Sequence, residues 1–340
     1  MSTPRAIKPS SRPALRLVST KGMNREQWLK VRKQGIGASD AAAAVGLNPY
    51  QSPLELWMIK TGRDGLLPAP DPDDIHTPLY WGNLLEPKVA EAYAKATGNK
   101  VRRVNAVLQH PDADKSWMLA NLDYSVVGNQ EVQILECKTA GEFGSRLWKE
   151  GVPDYIQCQV QHQLAVTGKQ TAEVAVLLCG QEFRVYRIER DDELIAQLIR
   201  LEREFWSYVE SDTPPPADGS DSADQALRAL YPRDTGETIN LKNDPVLNEA
   251  FEGLIQVRDS LDTLNQEERS LKQFIQQSME DHSRALFANG SVSWKRSKDS
   301  VSLDTSAALK ANPSLLEQYP LQRPGSRRFL IKQTNEGAGS

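Results

Sequence analysis

Three side chains that lie close together in the sequence have the chemistry to bind a metal ion and cleave a phosphodiester. Asp123 ends an apolar run, and the segment LDYSVVGNQEVQILECK then turns at GN and runs through VQIL to Glu136 and Lys138. Side chains alternate along a strand, so Glu136 and Lys138 face one side while Cys137 faces the other. A hairpin through the Gly-Asn turn brings Asp123 back beside Glu136.

Two carboxylates and one ammonium at one place suit metal-assisted phosphodiester hydrolysis. Carboxylate oxygens are hard ligands for magnesium, and a lysine there orients the attacking water or stabilises developing charge. An exposed hairpin with a single salt bridge has the same pattern, because D…ExK matches often arise by chance. These residues taken alone leave both interpretations open.

Other candidate residues lie upstream. Glu86, in WGNLLEP, lies on a predicted helix and either adds a carboxylate to the site or is a solvated helix residue. Arg32 and Ser39 bracket the glycine-rich turn RKQGIGAS. Backbone N–H groups, a hydroxyl and a guanidinium together make an anion site, although an ordinary N-cap serine and a surface arginine fit the same residues.

Downstream, the predicted helix YIQCQVQHQL carries four glutamines at a spacing of two. Gln159 and Gln163 are one turn apart, as are Gln157 and Gln161, so one pair is expected to face the site. His162 lies between them. A lone histidine in this setting is more often structural than a general base.

The composition is that of a globular protein: 340 residues, 39% hydrophobic and 25% charged, with a net charge of −4. No apolar stretch is long enough to span a membrane, and no signal peptide is expected. The negative charge counts against non-specific nucleic-acid binding but permits a basic groove. The cysteines, Cys137, Cys158 and Cys179, are scattered in apolar surroundings, which predicts buried, reduced thiols in a cytoplasmic protein.

The chain is expected to divide into several parts. Residues 1–22 are basic and rich in proline and serine, which predicts a disordered lead-in. Residues 23–210 predict a core in which helices precede three strands (101–109, 117–127 and 131–138), a helix, two strands and a last helix, giving an α/β sandwich around a mixed sheet. Residues 211–240 predict a linker, and 335–340 a disordered tail.

Residues 241–334 predict a helical accessory module with small strands. Apolar residues at helical spacing over 246–279 indicate a long amphipathic helix, or a hairpin broken near Asn265. Short strands are expected at 285–287, 291–295 and 327–331. Two basic clusters lie here, one at Lys295, Arg296 and Lys298 beside Trp294, and one at Arg323, Arg327 and Arg328. They indicate either nucleic-acid binding or a charged strand edge.

Five phrases in order resemble the YqaJ-like viral recombinase family of phage-type exonucleases, relatives of phage lambda exonuclease in the PD-(D/E)xK nuclease superfamily. They are GIGASDAAAAVGLNPYQSPLELWMIKTG, WGNLLEPKVAEAYAKATG, LANLDYSVVG, LECKTA and QVQHQLAVTG, and they cover about residues 24–210. The resemblance implies an α/β, restriction-endonuclease-like core with a mixed central sheet flanked by helices, and the C-terminal helical and small β appendage expected from the sequence pattern lies outside it. It also implies magnesium-dependent 5′-to-3′ degradation of one strand of linear double-stranded DNA, with manganese as a substitute ion.

The resemblance also assigns roles to single residues. Asp123 and Glu136 would be metal ligands together with the backbone carbonyl of Cys137, and Lys138 would position the nucleophilic water. Glu86 would be the helix-borne acid near the metal, and Gln159 the active-site glutamine. Arg32 and Ser39 would bind the 5′-phosphate. The extra glutamine at 157 leaves open which glutamine faces the metals.

The family also implies a ring-shaped homotrimer around DNA, 3′ overhangs for phage-type recombination, a single-strand annealing protein as partner, and a phage or prophage gene acting in the bacterial cytoplasm. Some related nucleases hold an iron–sulfur cluster on four cysteines, so three scattered cysteines predict none here. Two alternatives remain: a structure-specific endonuclease on the same core, and a non-catalytic DNA-binding accessory protein.

Overall fold

The protein is described by a computed structural model that covers residues 14–69, 71–322 and 325–332. The predicted tail at 335–340 and the first part of the predicted lead-in lie outside these residues. The chain divides after Pro232 into two compact units.

The first unit contains eight α-helices and nine strands within the described residues. The helices are α1 (Arg25–Arg32), α2 (Ala41–Ala44), α3 (Pro53–Lys60), α4 (Pro78–Thr97), α5 (Glu142–Ser145), α6 (Asp154–Thr167), α7 (Asp192–Glu210) and α8 (Asp221–Leu230). The strands are β1 (Leu15–Ser19), β2 (Ile36–Gly37), β3 (Lys100–Arg103), β4 (Ala106–Gln109), β5 (Met118–Asn121), β6 (Tyr124–Val127), β7 (Ile134–Ala140), β8 (Thr171–Leu178) and β9 (Glu182–Glu189).

The strands form two sheets. The central sheet has the order β3-β6-β7-β8-β9, with β7 and β8 parallel and the other neighbours antiparallel. The second has the order β1-β4-β5-β2, with β2 and β5 parallel. A mixed central sheet with helices on it confirms the predicted α/β class.

Alternation along β7 fixes the two layers of the core. Leu135 and Cys137 pack into a cluster with Val89 and Tyr93 of α4. Ile134, on the opposite face, packs with residues of α6 that include Val160. The central sheet is therefore covered by α4 on one face and α6 on the other, and Glu136 shares the face of Ile134.

One predicted strand is wrong in a way that matters for the site. Residues 117–127 were expected to form a single strand, but β5 belongs to the second sheet and β6 to the central sheet. Asp123 lies between them, where the chain passes from one sheet to the other. The predicted strand at 101–109 is likewise divided into β3 and β4, one in each sheet.

The ends of the first unit also differ from expectation. Residues 15–19 of the predicted disordered lead-in form β1, which pairs antiparallel with β4. In the predicted linker, α8 packs on α3: Ser222 Oγ accepts from the Ser52 N–H at 2.8 Å and donates to Glu55 at 2.6 Å. Tertiary contacts thus order segments whose composition is typical of loops.

The second unit has a long helix α9 (Pro245–Met279), a hairpin of β10 (Arg284–Phe287) and β11 (Gly290–Ser293), and two short helices, α10 (Thr305–Ala311) and α11 (Leu315–Gln318). The helix α9 is continuous through Asn265, so the broken-hairpin alternative is wrong. The strand predicted at 327–331 is absent from these described residues. In the described part of the chain, no helix is long and apolar enough to cross a membrane.

Candidate active site

A cavity of about 310 Å³ opens between the N-terminal part of α4 and the junction of β5, β6 and β7. Its lining contains four of the predicted site side chains, those of Glu86, Asp123, Glu136 and Lys138. Cys137 and Thr139 of β7 complete one wall, and Pro78, Leu79, Gly82 and Asn83 of α4 form the other. Residues from Pro78 to Thr139, which are 61 positions apart in the sequence, thus meet at one place.

The predicted hairpin is present and brings Asp123 to β7. Strands β6 and β7 pair antiparallel, with Tyr124 opposite Leu135. Asp123 Oδ2 accepts a hydrogen bond of 2.9 Å from the Cys137 N–H. The thiol of Cys137 packs in the apolar cluster under α4, as the alternation predicts. Asp123 therefore lies beside Glu136 because of strand register.

Glu136 is the most constrained carboxylate of the cavity. It is 2% exposed, and its Oε1 accepts from Gln159 at 2.6 Å and pairs with the Lys138 ammonium at 2.7 Å. Its Oε2 accepts from Gln163 at 2.7 Å. Charge-assisted hydrogen bonds of this kind hold a carboxylate in one orientation.

The four glutamines of α6 separate into two pairs, as their spacing predicts. Gln159 and Gln163 face Glu136, whereas Gln157 donates to the carbonyl of Val152 and Gln161 to that of Glu189. The assignment of Gln159 to this face is therefore supported. Gln163 has no separate role among the residues predicted from the sequence, although its position one turn from Gln159 was the available signal.

The charges in the cavity shift the pKa values of its groups. Burial and the neighbouring Glu136 carboxylate raise the pKa of Asp123 to about 8. Burial by itself would lower the pKa of Lys138, but Glu136 and Asp123 outweigh it and raise that pKa. Lys138 therefore stays an ammonium at neutral pH and is unsuited to act as a general base.

Glu86 lines the cavity from α4 but is turned toward β3. Its carboxylate pairs with Arg103 at 3.1 Å, and burial raises its pKa. Within the described residues, no three Asp, Glu, His or Cys side chains are close enough together to hold a metal ion. Glu86 would have to leave Arg103 to join Asp123 and Glu136.

The donor set nevertheless fits a hard divalent cation. Asp123, Glu136 and Glu86 offer only oxygen atoms, which is the preference of magnesium and manganese. Three carboxylates also face only two cations, Lys138 and Arg103, which leaves one negative charge when all are ionised. Burial is the larger cause of the raised pKa of Asp123, and the neighbouring Glu136 carboxylate adds to it.

Arg32 and Ser39 meet in a second charged cluster. An Arg32 guanidinium nitrogen donates to Ser39 Oγ at 2.7 Å and pairs with Asp40. Asp40 is buried and also binds the Lys60 ammonium at 2.6 Å. Burial would raise the pKa of Asp40, but the two cations lower it to about 2. Two cations against one carboxylate leave a net positive charge beside an exposed serine hydroxyl.

The glycine-rich turn positions this cluster. A Cβ on Gly35 would lie 2.3 Å from the Trp117 carbonyl oxygen, and Ile36 N–H donates to the same oxygen at 2.7 Å. Only glycine allows β2 to approach β5 so closely. Asp40 and Lys60 were not identified from the sequence, and no spacing signal links Lys60 on α3 to this turn.

His162 has a structural environment, as expected. It is fully buried, with Nδ1 at 2.7 Å from Glu202 of α7 and Nε2 at 2.9 Å from the Leu119 carbonyl oxygen. Both partners are acceptors, so both ring nitrogens carry protons. Burial opposes this charge, but Glu202 raises the pKa of His162 overall. The ion pair ties α6 to α7 and β5.

The three cysteines occupy separate elements. Cys137 and Cys158 are buried, as predicted, but Cys179 is exposed, so that prediction is wrong for Cys179. Cys179 follows β8 in the turn that leads to β9, where its side chain is exposed.

Comparisons with known proteins place the chain in a family. The YqaJ-like viral recombinase domain matches residues 27–170. The uncharacterized protein YqaJ of Bacillus subtilis (strain 168) is 34% identical over 333 residues, which is 96% of this chain and 100% of that protein.

Solved structures are more distant. The alkaline exonuclease LHK-Exo of Laribacter hongkongensis is 23% identical, with a TM-score of 0.45, over 55% of this chain and 93% of its own. A phage-related exonuclease from Haemophilus somnus 129PT is 12% identical, with a TM-score of 0.34, over 54% of this chain and 99% of its own. Identity above 30% over the whole of the Bacillus subtilis relative decides the classification. The chain belongs to the YqaJ-like viral recombinase family.

Proposed function

We propose that this protein is a metal-dependent 5′-to-3′ exonuclease that degrades one strand of linear double-stranded DNA and leaves 3′ single-stranded overhangs. The observation that carries the proposal is the cavity in which Asp123, Glu136 and Lys138 lie together with Glu86. Membership of the YqaJ-like viral recombinase family supports it.

The residues of the cavity would share the work of hydrolysis. Asp123, Glu136 and the carbonyl of Cys137 would hold Mg²⁺, with Mn²⁺ as a substitute, and Glu86 would complete the set. The bound cation would polarise the scissile phosphate and lower the pKa of water. Lys138, an ammonium at neutral pH because its pKa is raised, would donate a hydrogen bond to the attacking water or to the phosphate as negative charge develops.

Two glutamines would keep the central carboxylate in place during turnover. Gln159 and Gln163 donate to different oxygens of Glu136, so the carboxylate cannot rotate without losing a buried hydrogen bond. Leaving such a group unpaired costs about 1–3 kcal/mol. Gln159 would therefore serve as the active-site glutamine by holding Glu136 in its orientation.

Arg32 and Ser39 would bind the terminal 5′-phosphate. The guanidinium is already oriented by Ser39 and Asp40, and Lys60 shares the charge of Asp40. A phosphate would accept hydrogen bonds from the guanidinium and from the serine hydroxyl. This pocket would select the DNA end that enters the cavity.

The wider setting is part of the same proposal. The enzyme would act in phage-type recombination as a homotrimer ring, beside a single-strand annealing protein, in the cytoplasm of a bacterium that carries the phage or prophage. The unit beyond Pro232, with its helix α9 and basic clusters, would bind DNA or the annealing protein.

Digestion of matched DNA substrates tests the proposal. In magnesium, a linear duplex with a 5′-phosphate should be degraded, a duplex without it more slowly, and a closed circle left intact. Lys138→Ala should abolish cleavage and retain duplex binding. Cleavage of the closed circle would support the endonuclease alternative, and no cleavage of any substrate would support the non-catalytic one.

A further inference from the structure

Two stretches of this acidic chain contain cations and no carboxylate. Residues 1–25 carry six, Arg5, Lys8, Arg12, Arg16, Lys21 and Arg25, before the first acid at Glu26. Residues 92–111 carry four, Lys95, Lys100, Arg102 and Arg103, between Glu91 and Asp112. In a chain with 45 acidic and 41 basic residues, such runs create local positive charge.

The fold brings the two stretches together. Strand β1 pairs antiparallel with β4, which directly follows β3, and Ser19 lies opposite Ala106. The Thr20 N–H donates to the Asn105 carbonyl at 3.2 Å, and Arg16 donates to the same carbonyl at 3.1 Å. The β1 end of the first stretch is therefore fixed against the β3–β4 connection.

A cavity of about 380 Å³ lies where they meet. Among the described residues its lining includes Arg16, Lys21, Arg102 and Arg103, and no carboxylate. All four side chains are exposed. Within the same described set, Arg16, Lys21 and Arg102 form no ion pair with an acid, whereas Arg103 pairs with Glu86. Three cations thus remain uncompensated at one concave surface.

Arg103 joins this surface to the candidate active site. It lines the basic cavity and at the same time contacts Glu86, which lines the cavity of Asp123, Glu136 and Lys138. The two cavities are therefore neighbours across one side chain. Any polyanion in the basic cavity lies next to the carboxylates that would perform hydrolysis.

We infer that the surface formed by Arg16, Lys21, Arg102 and Arg103 binds the phosphodiester backbone of the DNA substrate near the scissile bond. This inference rests on the proposed function and adds a second anion site, separate from Arg32 and Ser39. Arginine and lysine on a concave surface contact phosphates without reading bases. Arg103 would exchange Glu86 for a phosphate when DNA binds, which frees Glu86 for the cation.

Salt-dependent binding without turnover tests this surface. Chelation by EDTA removes metal, so binding of a fluorescent duplex and of a single strand can be measured by anisotropy without cleavage. The slope of log affinity against log salt is negative, and each lost phosphate contact reduces its magnitude by about 0.9 for duplex DNA and about 0.7 for a single strand. Lys21→Gln with Arg102→Gln should therefore reduce the slope by about 1.8 or about 1.4, and weaken binding on the order of tenfold at about 0.1 M salt.

A matched variant controls for the loss of two charges. Lys169→Gln with Arg203→Gln removes two exposed cations elsewhere in the first unit, and should leave the slope as in the wild type. Both double variants should unfold at the wild-type temperature. A reduced slope for duplex DNA identifies the backbone of paired DNA as the ligand. A reduced slope for the single strand alone identifies the uncut product strand as the ligand. Both results support the inference.

An unchanged slope in the Lys21 and Arg102 variant, or an equal reduction in the control, would overturn the inference. Failure of this inference and failure of the proposed function give different results in these experiments. If the wild-type protein cleaves no DNA but the variant binds DNA more weakly, the proposed exonuclease activity is wrong and the inferred DNA-binding surface stands. If the wild-type protein cleaves DNA normally and the variant shows an unchanged slope, the exonuclease activity stands and the inferred surface is wrong.

Discussion

Gln163 donates a hydrogen bond of 2.7 Å to Glu136, on the carboxylate oxygen that Gln159 and Lys138 leave free. Both residues are almost completely buried, so no water replaces this bond when it is lost. The carboxylate at the centre of the candidate site is therefore fixed on both oxygens by a single helix.

Gln163→Leu should lower the rate of DNA degradation about 10- to 100-fold, the usual effect of removing a group that orients a metal ligand. The leucine fills the same space but leaves Glu136 Oε2 without its donor. Rates at saturating magnesium and the apparent metal affinity are the measurements. Gln157→Leu, on the same helix but bonded to the Val152 carbonyl, is the control and should keep wild-type rates. Equal rates in both variants would contradict the assignment.

Metal affinity should depend on pH through Asp123. Its pKa is raised to about 8, so in the metal-free protein the carboxyl holds a proton at neutral pH. A cation must displace that proton, which means that apparent affinity rises by about tenfold per pH unit below 8 and levels off above it. Calorimetric titration with magnesium in buffers of different ionisation enthalpy should show the release of about one proton. Asp123→Asn should bind weakly and without pH dependence.

The raised pKa of Asp123 should affect folding stability in the direction opposite to metal affinity: as pH rises, metal affinity increases and the stability of the metal-free protein decreases. A carboxyl whose pKa is raised by folding binds its proton more tightly in the folded state, so the metal-free protein is less stable as pH rises from about 4 toward 8. Magnesium should remove this dependence, because the cation then stabilises the ionised form. Thermal unfolding across that range, with EDTA and with magnesium, measures both effects.

Arg32→Gln should reduce the preference for 5′-phosphorylated ends. A charge-assisted hydrogen bond is worth about 1.5–3 kcal/mol, so discrimination between phosphorylated and unphosphorylated duplexes should fall about 10- to 100-fold. The Lys60–Asp40 pair remains, which preserves the fold of the turn. Lys33→Gln, next in the sequence but paired with Asp64, is the control. Retained discrimination in Arg32→Gln would place the phosphate site elsewhere.

The place of truncation should change the stability of the first unit. A chain that ends at Pro232 keeps α8, whereas one that ends at Ser211 loses the bonds from Ser222 to Ser52 and Glu55 and the burial of Ala223 and Ala226. With about 1 kcal/mol for each net hydrogen bond, the shorter form should lose about 2 kcal/mol or more of unfolding free energy. Denaturant titration of both forms measures the difference. Equal stability would show that α8 is dispensable.

The sequence was sufficient where local rules apply. Alternation along a strand placed Glu136 and Lys138 on one face and Cys137 on the other, and the Gly-Asn turn paired β6 with β7. The spacing on α6 separated Gln159 and Gln163 from Gln157 and Gln161. Periodicity and turn chemistry depend on neighbouring residues, so a sequence contains them in full.

Periodicity and turn chemistry could not predict contacts between segments that are distant in the sequence. The sequence by itself determined a mixed α/β fold, the pairing of Asp123 with Glu136 and the residues of the hairpin. Only the tertiary structure decided that Asp123 lies between two sheets, that Lys60 compensates Asp40, and that β1 carries Arg16 and Lys21 to Arg102 and Arg103. The physical reason is that these arrangements are stabilised by burial and charge pairing between residues many positions apart, and neither has a period that a sequence can display.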